Sequence, residues 1–168
     1  MTKVFTPETA VALEKGLMGW AMHQGPAMWH EIAKGVDFNN PRATIDLLMT
    51  AEWITHQKEC DRATALLFLA RAVEAGFDKG LANPAMHPEA AVAFTHSLAR
   101  AISAHQFPIA QFGLTKDEQT LAQTCFGADG PLQLGTEALN TGIAAHNPPF
   151  AFYQTRPYRN KKAHLRVA

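Results

Sequence analysis

The chain of 168 residues holds only two cysteines, Cys60 and Cys125, with no Cys-x-x-Cys spacing. That scarcity excludes a zinc ribbon and a thioredoxin-type redox pair, and two isolated thiols suit a reducing compartment. A glycine-rich phosphate loop is also lacking, so no nucleotide or other cofactor is implied. The N-terminal stretch Met1-Thr2-Lys3-Val4-Phe5-Thr6-Pro7-Glu8 has no apolar core of signal-peptide length. The longest apolar run, Ala63 to Ala70 broken only by Thr64, is too short to span a bilayer. No membrane segment and a cytoplasmic location are therefore expected. Alternating Val, Ile and Thr of strand length are missing as well, which leaves little for a sheet.

What is present is ordinary globular composition: 47% hydrophobic and 18% charged residues. A chain of this length buries roughly 70% of its unfolded surface and needs no disulfide or metal to fold. The net charge of zero conceals an asymmetry. Residues 1–149 carry ten Lys/Arg against fifteen Asp/Glu, a net of −5, whereas residues 150–168 carry five cations and no acid. This split predicts a helical domain over residues 1–146 and a partly docked C-terminal extension over 147–168.

Helix boundaries are marked by cap chemistry. Thr6-Pro7, Asn40-Pro41 and His87-Pro88 each place proline where the first helical N–H has no partner. Asp61 offers a carboxylate to free amides, and Thr115-Lys116-Asp117-Glu118 reads as a capping box. Gly25-Pro26, Gly35, Gly76, Gly80, Phe107-Pro108 and Gly127 are stops. The expected helices run over about 7–23, 27–35, 41–57, 61–76, 88–106, 116–126 and 132–146. The fold class is all-α, a single irregular bundle or stack of about seven helices with a basic, aromatic C-terminal tail. The 61–76 helix is apolar nearly all round and should be central. Arg71 and Glu74, three apart on it, read as a partly solvated ion pair. The apolar connector Phe107–Leu114 should pack on the body. The dispersed methionines Met18, Met22, Met28, Met49 and Met86 read as gap-filling core.

The stretch from Trp29 to Phe77 resembles a bacterial helical family, domain-of-unknown-function family 4274. The resemblance rests on Trp29-His30-Glu31-Ile32-Ala33-Lys34, Asp37-Phe38-Asn39, Trp53-Ile54, Cys60-Asp61, Thr64-Ala65-Leu66-Leu67-Phe68, Arg71 and Gly76-Phe77. It implies a helical fold and a bacterial setting. It implies no activity.

Eight histidines raise the question of metal. His30-Glu31-Ile32-Ala33-Lys34 begins like a zinc-protease helix, but Lys34 stands where the second ligand belongs. No acid is followed at the third position by histidine, as a di-iron bundle requires. His87, His96 and His105 are nine apart, so successive ones face opposite ways; His105 is expected at the edge of the core. No metal site is expected.

Glu52 and His56 are four apart, in one row with Ile45, Leu48 and Met49. On the helical wheel that row falls in the apolar arc, with Asp46, Thr50 and Gln57 on the solvated side. A carboxylate beside an imidazole could form an acid–base couple, with His30, Glu31 or Cys60 as further members. The plainer reading is a boundary pair near a helix end. Cys60, just before the Asp61 cap, is either a thiolate activated by a helix N-terminus or a small hydrophobe packing a turn.

Phe152, Tyr153, Arg156, Tyr158, Arg159, Lys161 and Lys162 form the candidate binding surface of the tail. Interleaved aromatics and cations can stack on bases and neutralise phosphates, or lie on the acidic body of the same or a second copy. A neutral whole without a second basic stripe weighs against nucleic acid. The sequence therefore points first to a non-enzymatic protein-interaction module, acting through its tail on itself or on a protein partner. A small-molecule enzyme using Glu52/His56 is the alternative, and nucleic-acid binding by the tail the second.

Overall fold

Proline at the first turn opens two of the helices and a side-chain cap two others. The protein is represented by a computed structural model that describes residues 16–126. The expected helix at 132–146, the first half of that at 7–23 and the tail 147–168 lie outside these residues. Six α-helices follow one another: α1 Gly16–Ala21, α2 Pro26–Gly35, α3 Ile45–Thr55, α4 Arg62–Glu74, α5 Pro88–Ser103 and α6 Lys116–Phe126. Two single 3-10 turns, Phe77–Lys79 and Pro84–Met86, join α4 to α5, and no strand occurs among the described residues.

Pro26 opens α2 after Gly25, and Pro88 opens α5 after His87, as the proline rule requires. The capping box at α6 closes as read. The Thr115 amide donates to the Glu118 carboxylate at 2.7 Å, and the Glu118 amide to the Thr115 hydroxyl at 3.3 Å. Pro41 behaves differently. Asn40 accepts the Arg42 amide with its side chain and the Ala43 amide with its carbonyl, which ties residues 40–43 into a turn. The helix expected from 41 consequently starts at Ile45.

The interior is built around α4. Every residue from Ala63 to Ala70, together with Ala72 and Val73, is buried. α2, α3, α5 and α6 all pack against it, while α1 packs on α3. The Phe77–Lys79 turn covers the junction of α4 and α5. A helix with no polar face survives only when enclosed in this way, because leaving even one of Leu66, Leu67, Phe68 or Leu69 in water costs about 1.5–3 kcal/mol. α4 stops at Gly76, whose φ of +76° suits glycine, and a Cβ there would meet Leu81 Cδ1 at 2.8 Å. Trp29 and Trp53 meet edge to face at 5.5 Å between centroids and tie α2 to α3. The Trp29 indole N–H is satisfied by the Ala21 carbonyl at 2.9 Å.

Phe107, Phe112 and Leu114 are buried, so the connector packs on the body as expected. Of the methionines, Met28 and Met86 fill the core, but Met22 and Met49 are exposed. His105 is also exposed, with a φ of +55° just beyond the end of α5. The helix ends at Ser103, short of the expected 106, and the backbone reversal carries the imidazole away from the core edge.

Asp61 has two attachments. Its Oδ1 accepts the Ala63 amide at 2.8 Å, capping α4. Its Oδ2 accepts the Gln111 amide at 2.5 Å and the Phe112 amide at 3.2 Å, fixing the connector. Asp61→Ala removes a helix cap and leaves a buried amide without an acceptor, so unfolding should become easier by about 3 kcal/mol. Asp37→Ala, which removes only an exposed turn contact to Asn39, should cost less than about 0.5 kcal/mol in the same denaturant titration.

Candidate functional site

The histidine of the α2 signature points inward. His30 is fully buried, its Nδ1 3.0 Å from the Thr64 hydroxyl and its ring stacked on Phe112 with centroids 4.9 Å apart. Nε2 has no aligned hydrogen-bond partner. Burial drives its pKa from 6.5 down to about 4, and the Lys34 ammonium lowers it further. Glu31 and the Gly113 backbone oppose these effects without reversing them. At neutral pH the ring is uncharged. Glu31, 5% exposed, lies 3.4 Å from Lys34.

Cys60 is buried at the turn before α4. Burial, reinforced by the neighbouring Asp61 charge, pushes its thiol up to about 12. The Asp61 carboxylate intercepts the helix-end amide that an activated thiolate would use. Burial and the raised thiol favour the packing role over the reactive one. Cys125, likewise buried, donates to the Ala70 carbonyl at 3.6 Å and packs α6 against α4.

Glu52 and His56 lie elsewhere. The buried face of α3 is Leu48, Thr50, Ala51 and Ile54, and both Glu52 and His56 are exposed. The expected wheel is thus rotated. Thr50, placed on the solvated side, is fully buried, and its hydroxyl is satisfied by the Asp46 carbonyl at 2.6 Å. Asp46 turns its carboxylate to the Leu17 amide at 3.1 Å, so α1 packs where water was expected. His56 Nδ1 sits 2.7 Å from the Glu52 main-chain oxygen, and this contact closes the C-terminus of α3.

Both side chains nevertheless border an open groove of about 400 Å³ between the end of α3 and α5. Phe94, Leu98 and Phe107 form its floor, and Glu52, His56, Lys58 and Gln106 lie on its rim. A smaller hollow of about 200 Å³ gathers Lys34, Asp37, Asn39, Arg71 and Glu74. There the Arg71 guanidinium reaches Glu74 at 3.3 Å and the Lys34 carbonyl at 3.5 Å. The Arg71–Glu74 pair is the partly solvated ion pair expected. Its charges are balanced within the hollow, which favours a structural role.

Among the described residues, no three His, Cys, Asp or Glu side chains converge as a metal ion would need. No helix there is long and apolar enough to cross a membrane. The structure brings His30 together with Thr64 and Phe112, and it separates all three from Glu52 and His56. The candidate binding residues Phe152, Tyr153, Arg156, Tyr158, Arg159, Lys161 and Lys162 lie outside the described residues. Sequence reasoning missed the burial of His30 and the second attachment of Asp61. Ala27 and Ala33, three residues either side of His30, were the available sign that its row faces inward. No protein family, curated protein or solved structure matches the chain.

Two outcomes follow from this geometry. In native protein at about pH 8 both thiols should resist iodoacetamide and react fully after denaturation, because each is held far from its thiolate form; mass spectrometry after timed quenching reads the result. Glu52→Gln should change unfolding free energy by less than about 0.5 kcal/mol, as expected of an exposed side chain, and His56→Ala, which removes the contact that closes α3, should cost no more than about 1 kcal/mol.

Proposed function

We propose that the chain is a non-enzymatic protein-interaction module, of the bacterial helical type that residues 29–77 resemble, and that its partner is a second copy of itself. The observation that carries this reading is the separation of charge. Residues 16–126 hold eight Lys/Arg and eleven Asp/Glu, a net of −3, against the five cations of residues 150–168. Opposite charges segregated along one chain attract between copies, and the four aromatics at 150–158 supply apolar contact area. The buried titratable groups are engaged in holding the fold, which is consistent with a body that serves as scaffold.

A second reading is favoured by one observation, the shared border of Glu52 and His56 on the groove. In it the pair performs acid–base chemistry on a small molecule seated over Phe94 and Leu98. Assays with activated ester and phosphoester substrates separate the two readings: turnover lost in both Glu52→Gln and His56→Ala supports an enzyme.

The interaction reading is tested by light scattering on the full chain at about 0.05 M and about 0.5 M salt, on either side of effective charge screening. Assemblies larger than a monomer are expected at low salt. They should dissociate at high salt and in the variant with Arg156, Arg159, Lys161 and Lys162 all changed to Glu. A wild-type chain that stays monomeric at low salt contradicts the reading.

A further inference from the structure

The connector between α5 and α6 reads Phe107-Pro108-Ile109-Ala110-Gln111-Phe112-Gly113-Leu114 and holds no ionisable side chain. Its path is fixed from below by two consecutive residues at the start of α4. Asp61 accepts the Gln111 and Phe112 amides. The Arg62 amide donates to the Ile109 carbonyl at 2.8 Å, and Arg62 Nε to the Phe107 carbonyl at 2.9 Å. Beneath this latch lies His30, fully buried and stacked on Phe112.

This arrangement favours the neutral ring over the charged one. A neutral imidazole has one N–H and one lone pair, and Thr64 can serve either through its hydroxyl. An imidazolium has two N–H groups and a full charge. Nε2 has no aligned acceptor, and a buried cation that Glu31 and the Gly113 backbone compensate only in part is costly. Lifting the segment stacked on the ring, with loss of the bonds that hold it to Asp61 and Arg62, admits water to the ring.

We propose that residues 107–114 are an acid-released strap, with His30 as the proton sensor and the Asp61–Arg62 pair as the latch. The strap is closed over a neutral ring at pH 7 and opens locally as His30 takes up a proton.

The groups facing His30 set the direction. Burial disfavours the charged ring most and Lys34 on α2 adds to it; Glu31 on α2 and the Gly113 backbone of the strap oppose them only in part, so the pKa is held at about 4. α4 presents Thr64 to the ring, with Asp61 and Arg62 occupied by the strap; Glu118 of α6 is bound to the Thr115 amide. A depressed histidine pKa means that the open form binds more protons. Stability of the closed strap is therefore full above about pH 6.5 and falls as pH drops towards 4. Asp61 acts in the opposite sense. Burial raises its pKa, so the closed form is relieved when this carboxyl is protonated at the acid end. A His30 variant separates the two.

Hydrogen exchange on the full chain at pH 7 and pH 5, corrected for intrinsic rates, tests the proposal. Protection of the Arg62, Gln111 and Phe112 amides should fall about 20-fold between these pH values, from the two titration constants by linkage. Protection of the α5 core amide of Leu98 should stay constant, and His30→Gln should abolish the pH dependence at the strap. Equal strap protection at pH 7 and 5, or a loss shared equally by Leu98, overturns the proposal. Persistence of the dependence in His30→Gln overturns it also. Should that variant fail to fold, the His30 ring resonance in wild-type protein decides: a neutral ring at pH 5 supports the sensor, and a midpoint near 6.5 refutes it.

Discussion

The carboxylate of Asp61 joins two parts of the chain that lie fifty residues apart. One oxygen closes the N-terminus of α4 and the other receives two amides from the segment leading to α6. At 1% exposure this group must find its hydrogen bonds inside the protein, since water cannot supply them. Its acceptor geometry therefore fixes the connector relative to the central helix. Through the connector it also fixes Phe112 over His30, and it sets the line along which α6 returns to α4. Burial works against the charge of Asp61, and the backbone amides with Arg62 partly offset that cost. A compact set of three main-chain donors is what makes a carboxylate tolerable there.

Around that junction the polar interior is small and specific. His30 with Thr64, Thr50 with the Asp46 carbonyl and Thr95 with the Ala91 carbonyl all sit at or near zero exposure. Threonine hydroxyls bonded four residues back let polar side chains enter a helical core without stranding a donor. His30 differs because one of its nitrogens has no aligned partner. An imidazole can also take up a proton, which a threonine hydroxyl bonded within its own helix does not.

The exposed chemistry is of another kind. Glu52, His56 and Lys58 border a groove whose floor is the outer edge of core residues such as Phe94 and Leu98. His56 ends its helix by meeting a main-chain oxygen, so local capping accounts for its position. Contact between a carboxylate and an imidazole four residues apart depends on rotamers. Here the shorter path to the backbone wins. Charge segregation along the chain remains the broader surface property, and it is the one on which the interaction reading depends.

The order and class of the elements followed from the sequence because they rest on local rules. Asp61, Pro88 and Thr115-x-x-Glu118 satisfy or spare amides within three residues of themselves, so their caps are readable; Pro26, read as part of a stop, opens α2 instead. The all-round apolar character of Ala63–Val73 likewise requires enclosure whatever its neighbours are. Tertiary packing decided which side of α3 is dry. A row containing Leu48 and Met49 looked apolar, yet α1 docked on the opposite flank and buried Thr50. Packing also decided that Cys60 is buried with its thiol pushed up, that His30 is neutral at pH 7 and that Asp61 holds a second segment. Each of these depends on how many atoms surround a group and which distant amides reach it, and neither quantity is carried by residues adjacent in the chain.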